Sequence, residues 1–264
     1  MARANRHYIP GYVWHITHRC HKKEFLLKFA RDRRRLMQWL FEARKRFSAS
    51  ILNYMVTSNH IHLIIRDVKD EGAIPQTIQL TAGRMGQEYN QRKKRKGAYW
   101  EDRYHATAVE AGSHLGQCMV YVDMNMVRAG VVKHPGEWPF CGYAEIRNPR
   151  QRYSIIDYES LLGLFGCRSL DEFKELHRGW VEEAIEKRSC KGREPRWTES
   201  IAVGTEAFVT DTKEILGIKG SGREIVKGHG SYELREPLSP YNAVFGGKNE
   251  GLRAKNEHFW DEYA

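Results

Sequence analysis

The period of the apolar positions changes several times along the first 150 residues. Four segments have the period-two alternation typical of strands: residues 11–20, 49–56, 60–66 and part of 97–110. Residues 29–47 and 74–92 instead repeat their apolar positions at the spacing of amphipathic helices. In chain order these segments predict an α+β fold, β-α-β-β-α-β, which is a ferredoxin-like (RRM-like) antiparallel sheet with helices on one side.

A third helix is predicted over residues 113–129, with Ser113 as its N-cap and Gly130 as its stop. One side of this helix is an apolar stripe formed by Leu115, Cys118, Met119, Val122 and Met126. The opposite side carries Gln117, Tyr121, Asn125 and Arg128. Tyr121 and Asn125 are four residues apart, so we expect them on one side of the helix, away from the face that packs into the core.

The rest of the chain has a different character. We predict a first domain over residues 1–148 and a mainly helical C-terminal extension over 149–264. Helices are expected near 169–188 and 198–216, followed by a glycine-rich stretch over 217–251.

The net charge of +10 is confined to the first part of the chain. Residues 1–150 hold 26 Lys and Arg against 13 Asp and Glu, whereas residues 151–264 hold 17 against 20. The excess forms three clusters, RDRRR at 31–35, RKR at 44–46 and RKKRK at 92–96. Three basic clusters beside an acidic remainder favour nucleic acid as a partner over merely solvated helix faces. An anionic membrane surface is the weaker option, because no strongly apolar face accompanies the charges.

The apolar runs and the cysteines of the sequence indicate the cellular compartment. The sequence contains no run of about 18 apolar residues, so we expect no membrane span. Its start lacks the apolar block of a secretory signal. The five cysteines are odd in number and include no C-x-x-C pair, which indicates a reducing compartment and argues against a cysteine metal site. We therefore expect a cytoplasmic protein.

Two histidines lie one residue apart in the third predicted strand, within YMVTSNHIHLIIRD (54–67). Strand alternation sends His60 and His62 to the same face and the intervening apolar residues to the other. Two neutral imidazoles side by side on a strand are a metal-ligand geometry, or else a coincidence of a half-buried strand.

The segment SNHIHLII, followed about sixty residues later by YVDMNMVRAGVV, resembles the single-tyrosine HUH transposases, in particular their REP-associated tyrosine transposase branch. YVWHITHR near the start and HPGEWPF at 134–140 also resemble segments of that family, so the similarity extends over roughly residues 6–145. The resemblance implies that His60 and His62 are metal ligands, that Tyr121 is the nucleophile and that Asn125 is the third protein ligand. Met126 stands where the family usually has a proline.

The same resemblance implies a metal-dependent single-strand DNA endonuclease and strand transferase. Its tyrosine attacks a phosphodiester and forms a 5′-phosphotyrosine link, with Mg²⁺ or Mn²⁺ as the cofactor. The expected partner is single-stranded or hairpin DNA, such as a palindromic repeat. The long extension makes the chain similar to the monomeric members with the tyrosine in cis, rather than to the dimers. The expected location is cytoplasmic and nucleoid-associated.

Nine basic side chains are predicted to contact DNA. They come from the first and third clusters and from the tyrosine-bearing helix: Arg33, Arg34, Arg35, Arg92, Lys93, Lys94, Arg95, Lys96 and Arg128. We expect the RKKRK loop at 92–96 to contact phosphates without reading base sequence.

Other functions fit parts of the sequence. A phosphoesterase with two H-x-T/S motifs would use HIT at 15–17, but its second motif would be HIHL, which lacks the hydroxyl. A histidine-triad hydrolase needs H-x-H-x-H, and Ile64 occupies the third position. A non-catalytic single-strand binder on an RRM-like sheet would use the basic and aromatic residues, but it has no reason to keep the four site residues together.

For four further residues we predict structural roles. His15 and His18 are expected to be hydrogen-bonding groups of the first strand rather than ligands. Tyr99 and Tyr104 are expected to be packing aromatics, and they are second choices for the nucleophile behind Tyr121.

Overall fold

The computed structural model describes residues 8–68, 72–187, 192–228 and 230–236. Its strands are β1 (Val13–Arg19), β2 (Ser50–Val56), β3 (His60–Arg66), β4 (His105–Val109), β5 (Ala202–Gly204), β6 (Glu224–Lys227) and β7 (Tyr232–Arg235). Its helices are α1 (Ala30–Phe47), α2 (Ala73–Lys93), α3 (Ser113–Asp123), α4 (Asn125–Arg128), α5 (Gly142–Arg147), α6 (Tyr158–Phe165), α7 (Leu170–Glu186) and α8 (Glu206–Leu216). The predicted mixed α and β fold, with the order β-α-β-β-α-β at its start, is confirmed.

One seven-stranded sheet organises the described part of the chain, in the order β2-β3-β1-β4-β5-β7-β6. Neighbouring strands are antiparallel except for β4 and β5, which are parallel. β3 and β1 are neighbours, with His62 opposite Thr17 and Ile64 opposite His15. The histidine-bearing strand is therefore paired on both edges, which fixes its register and the face of each of its side chains.

The two faces of the sheet are covered by different helices. On one face His18 stacks on Trp100 with ring centroids 4.3 Å apart, and the Trp100 indole N–H donates to the carbonyl of Ala82 in α2. α1 packs on α2 through ion pairs such as Arg35 with Glu88. The other face carries His62 and is covered by α3, as the contact of the His62 ring with Tyr121 shows.

The predicted third helix is divided into α3 and α4 at Met124, whose φ and ψ are −74° and 0°. Gly112, not Ser113, is the N-cap residue, and its φ of +78° is readily adopted only by glycine. Gly130 stands just past the end of α4 with a φ of +68°, which confirms the predicted stop.

The extension contributes strands as well as the predicted helices. Near 169–188 lies α7, but the predicted helix near 198–216 begins only at Glu206, because 202–204 form β5. β5 continues the sheet beside β4, so residues on both sides of the predicted boundary at 148 share one sheet. The described part of the glycine-rich stretch includes β6 and β7, and its remainder lies outside the described residues.

Helix starts in the extension follow local capping chemistry. Asp157, Ser169 and Thr205 each accept a hydrogen bond from the backbone N–H three residues later, at the start of α6, α7 and α8. The cysteines Cys20, Cys118, Cys141 and Cys167 are free thiols, and Cys190 lies outside the described residues. None of the described helices is long and apolar enough to cross a lipid bilayer.

A buried polar network joins the sheet, the tyrosine-bearing helix and the extension. Asp123, at the end of α3, accepts from the amide of Asn53 in β2 at 3.0 Å and contacts Nε2 of His177 in α7 at 2.7 Å. All three side chains are fully buried. A buried carboxylate without such partners is costly, so α3, β2 and α7 are held at fixed relative positions.

His177→Ala should lower the free energy of unfolding by about 2–4 kcal/mol, because Asp123 loses a buried partner. Arg178→Ala removes the neighbouring, exposed ion pair with Glu175 and should cost less than about 1 kcal/mol. Urea unfolding followed by circular dichroism measures both, and His177→Gln, which keeps a donor, should recover part of the loss. Equal destabilisation by the alanine variants at 177 and 178 would contradict a role for the buried network.

Candidate active site

The two histidines of β3 point their Nε2 atoms at one amide on the tyrosine-bearing segment. Nδ2 of Asn125 lies 3.3 Å from Nε2 of His60 and 3.1 Å from Nε2 of His62. The strand alternation puts both imidazoles on the face that α3 covers. The structure therefore brings together His60, His62 and Asn125, the three predicted metal ligands.

Hydrogen bonds on the far side of each ring determine which nitrogen is free. Nδ1 of His15 lies 2.8 Å from the carbonyl oxygen of Trp197, and a carbonyl can only accept, so Nδ1 donates. Nε2 of His15 is then an acceptor, 2.8 Å from Nδ1 of His62, which must donate to it. The Nε2 lone pair of His62 is left directed at Asn125.

The loop that precedes β3 determines the protonated nitrogen of His60 in the same way. Its Nδ1 lies 2.7 Å from the side-chain oxygen of Asn59 and 3.0 Å from the hydroxyl of Thr57. With Nδ1 as donor to Asn59, the Nε2 lone pair of His60 also faces Asn125. Two lone pairs thus converge on one point, each fixed by a partner behind the ring, which is the arrangement found around metal-binding histidines.

Burial keeps these imidazoles neutral. It lowers the pKa of His15 to about 3 and that of His60 to about 4, with nearby arginines contributing further. Burial also lowers the pKa of His62 well below its ordinary value, and its neighbours His60 and His15 add to that effect. A neutral imidazole retains the lone pair that a metal ion needs.

Tyr121 lies beside the histidines but is more enclosed than the helix pattern predicts. Its ring centroid is 6.1 Å from that of His62 and 6.3 Å from that of Trp197, and the residue is only 3% exposed. The expectation that Tyr121 lies away from packed surface is wrong, because Trp197 of the extension and His15 of β1 cover that side of α3. Burial raises the pKa of the phenol, and Arg128 opposes that rise.

Arg128 joins the tyrosine to the bend in the helix. Its guanidinium lies 4.1 Å from the Tyr121 ring centroid, and Nη1 donates to the carbonyl oxygen of Tyr121 at 2.8 Å. That carbonyl lies in the last turn of α3, where an intrahelical partner is missing. The break at Met124 therefore occurs without a proline at 126, and Met126 is buried instead.

The second-choice tyrosines have structural contacts. The Tyr99 hydroxyl donates to the carbonyl of Leu26, and the ring is buried. The Tyr104 hydroxyl accepts from that of Tyr8 at 2.9 Å. His18 bonds to the carbonyl of Asp102, so the predicted hydrogen-bonding role of the first-strand histidines is confirmed.

Arg33 is in a different place from the other predicted DNA-contacting residues. It is 8% exposed, donates to the carbonyls of Leu27 and Lys28, and lies over the rings of Trp138 and Phe140. Its guanidinium is bound within the protein, so the predicted phosphate contact is wrong for this residue. The helix period of the sequence indicates that Arg33 is buried, since Arg33 falls on the same face as the buried Leu36 and Leu40.

The other residues of the two clusters lie towards the surface. Arg34 and Arg35 are exposed on α1, where Arg35 makes a bidentate pair with Glu88. Arg92 pairs with the buried Asp32. Arg95 is half-buried, and its guanidinium donates to the carbonyl of Ala98 in the loop after α2. Exposed lysines remain at the end of α2 and in the loop that follows, namely Lys93, Lys94 and Lys96.

The donor set around Asn125 limits how a metal ion would be held. Within the described ranges, no group of three or more His, Cys, Asp or Glu side chains is placed to share an ion. An ion at His60 and His62 would therefore take its third protein ligand from the Asn125 amide. The oxygen and nitrogen of such an amide exchange places by a flip of the group, so the oxygen can face the histidines.

Residues 9–125 match the family described as Transposase IS200 like. No curated protein matches the chain. Among solved structures the chain is similar to a REP-associated tyrosine transposase bound to a REP hairpin, with 17% identity, a TM-score of 0.44, and coverage of 60% of this chain and 94% of that one. It is also similar to a candidate transposase from Deinococcus radiodurans R1, with 13% identity, a TM-score of 0.32, and coverage of 43% and 88%. Over residues 9–125 the chain is thus similar to the family of IS200-like transposases.

Proposed function

We propose that this chain is a metal-dependent single-strand DNA endonuclease and strand transferase whose nucleophile is Tyr121. The observation that carries the proposal is the convergence of the His60 and His62 lone pairs on Asn125, one turn from Tyr121. A protein that only binds DNA has no need for two oriented, neutral imidazoles beside a tyrosine. The match of residues 9–125 to the IS200-like transposase family supports the same reaction class.

The residues present fit a divalent ion. His60 and His62 would bind through Nε2 and Asn125 through its amide oxygen, which leaves coordination positions for water and a phosphate oxygen. A Mg²⁺ or Mn²⁺ ion bound there supplies Lewis-acid stabilisation of charge on the scissile phosphate. The oxygen ligands contributed by phosphate and water suit both ions.

The surroundings of Tyr121 match a nucleophile that is activated only when substrate is bound. Burial disfavours the phenolate, so the free protein keeps the phenol protonated. Arg128, stacked on the ring, and Arg193 stabilise the phenolate as the proton leaves. After the phenol loses its proton to water, attack of the phenolate on phosphorus would form the phosphotyrosine bond as the P–O3′ bond breaks. The leaving 3′-oxygen takes a proton from water, and the resulting 3′-hydroxyl can attack the phosphotyrosine in turn and rejoin the strands.

Hairpin or single-stranded DNA is the proposed substrate, and the basic surface formed by α1 and the end of α2 is the proposed phosphate-binding surface. Arg34, Lys93, Lys94 and Lys96 are exposed there. Arg33 is not included because it is buried. We propose that the chain acts as a monomer, because Tyr121 lies beside His60 and His62 of the same chain.

Wild-type protein should form a covalent adduct with labelled hairpin oligonucleotides taken from repeats that flank its gene, in the presence of Mn²⁺ or Mg²⁺. Tyr121→Phe should form none, because the attacking oxygen is absent, and His62→Ala should form none, because a ligand is absent. Denaturing gels measure the adduct, and chelator should abolish it.

Tyr99→Phe is the matched control for Tyr121→Phe and should retain the adduct. An adduct that persists in Tyr121→Phe would show that another residue is the nucleophile. Tight, metal-independent binding without an adduct on any repeat would favour the non-catalytic binder instead.

His15→Phe should weaken Mn²⁺ binding about 10- to 100-fold, because His62 loses the acceptor that fixes its proton on Nδ1. His18→Phe is the control, since His18 lies on the same strand but on the opposite face and stacks on Trp100. Isothermal titration or Mn²⁺ electron paramagnetic resonance measures the affinity without any DNA present. Equal affinities in the two variants would exclude the proposed positioning by His15.

Lys94→Ala combined with Lys96→Ala should weaken binding of single-stranded DNA and flatten its salt dependence. Each lost phosphate contact should reduce the slope of log K against log salt by about 0.7. Lys227→Ala, an exposed lysine of β6, is the control and should leave the slope unchanged. Fluorescence anisotropy at several salt concentrations measures the slope, and an unchanged slope in the double variant would place the DNA elsewhere.

A further inference from the structure

A cavity of about 880 Å³ opens between the tyrosine-bearing helix and the extension. One wall is α3, through Gln117 and Val120, and the other walls are α7, the turn at 193–196 and β7. A cavity of this size is large enough for a nucleotide. The mechanism above uses one residue of its lining, Arg193, and gives the rest of the cavity no role.

The cavity adjoins Tyr121. Gln117 precedes Tyr121 by four residues and so lies on the same side of α3, one turn away. Arg193 and Glu194, on the opposite wall, are near enough to the phenol to lower and to raise its pKa, respectively. One turn of α3 therefore separates the cavity lining at Gln117 from Tyr121.

The lining combines aromatic rings with cations. Phe165 and Trp180 are both half-buried, with ring centroids 5.2 Å apart, and Trp180 packs against α3 at Gly116, where an added Cβ would lie 3.4 Å from the indole ring. Four basic residues line the cavity, namely Lys187, Arg193, Arg196 and Arg235, against the carboxylates of Glu183, Glu194 and Glu233. Stacking surfaces beside positive charge are what single-stranded nucleic-acid sites share.

Arg193 is one of two basic lining residues whose ion pairs are largely exposed, the other being Lys187. The ion pair of Arg193 with Glu199 is 2.9 Å long, but both side chains are more than half exposed, so the pair contributes little to stability. The side chain can therefore turn to a phosphate at small cost. Arg196 and Arg235 are tied more closely, to Glu194 and Glu233, and shape the cavity wall.

We propose that this cavity binds one nucleotide of single-stranded DNA that flanks the scissile phosphate, with its base against Trp180 and its phosphate against Arg193. The proposal rests on the proposed function, because it places the nucleotide by its distance along the strand from Tyr121. The extension thereby contributes a substrate contact that the first domain does not contain.

Photo-crosslinking tests the proposal directly. Full-length Tyr121→Phe protein is mixed with Mn²⁺ and a hairpin oligonucleotide in which 5-iododeoxyuridine replaces one base of the single-stranded tail at a time. After long-wavelength irradiation, mass spectrometry identifies the modified residue. A crosslink to Trp180 or Phe165 from one tail position is the expected result, and crosslinks found only on α1 or α2 would overturn the proposal.

Affinity measurements supply the quantitative test. Trp180→Ala should weaken binding of the tailed hairpin by about 5- to 100-fold, as expected for loss of base stacking, and should not change binding of the hairpin without a tail. Tyr153→Ala, an exposed aromatic of the extension outside the cavity, should change neither. Equal losses for tailed and untailed hairpins would contradict a nucleotide site.

Arg193→Ala is the second variant, because Trp180 also packs on Phe173 and its removal can unfold the extension. Arg193→Ala should weaken tailed DNA alone, whereas Arg152→Ala, exposed and outside the cavity, should not. Wild-type protein that forms the metal-dependent adduct without any crosslink in the cavity would refute this inference and leave the proposed function intact. A cavity crosslink without adduct formation on any repeat would refute the proposed function and leave the binding site.

Discussion

The position of Asp123 is the constraint on which the candidate site depends. Its carboxylate lies two residues after Tyr121 and two before Asn125, and it is held by Asn53 from the sheet and His177 from the extension. A buried carboxylate must keep its partners, so the junction of α3 and α4 cannot slide along the sheet. The nucleophile and the third ligand are thereby placed relative to β3.

That anchor itself depends on an irregularity in β2. The register between β2 and β3 shifts between Ile51 and Asn53, so Leu52 has no partner and Asn53 stands opposite Ile64. Without this bulge, strand alternation would turn Asn53 to the other face of the sheet, away from α3. The close approach extends to Gly142, where a Cβ would lie 2.0 Å from the side-chain oxygen of Asn53.

The elements up to about residue 148 follow from the sequence because their signals are local. Alternation and helix period are read within a window of a dozen residues, and His60 and His62 share a face for the same reason. The bulge at Leu52 has no such signal, and β5, with three residues, is too short to show a period. The burial of Tyr121 has no local signal either, because the residues that cover it, such as Trp197, are distant in sequence.

The extension contributes no proposed ligand or nucleophile to the candidate site. It instead determines which ring nitrogen of the site histidines carries the proton, and it fixes the position of α3. The Trp197 carbonyl fixes the proton of His15, which fixes that of His62, and His177 fixes Asp123. Each of these links ends on a fully buried polar atom, so the first domain alone would leave both His15 and Asp123 short of a partner. Trp197 and His177 belong to segments that the sequence places outside the family match at 9–125. The site is therefore a property of the whole described chain, even though every proposed ligand and the proposed nucleophile lie within that match.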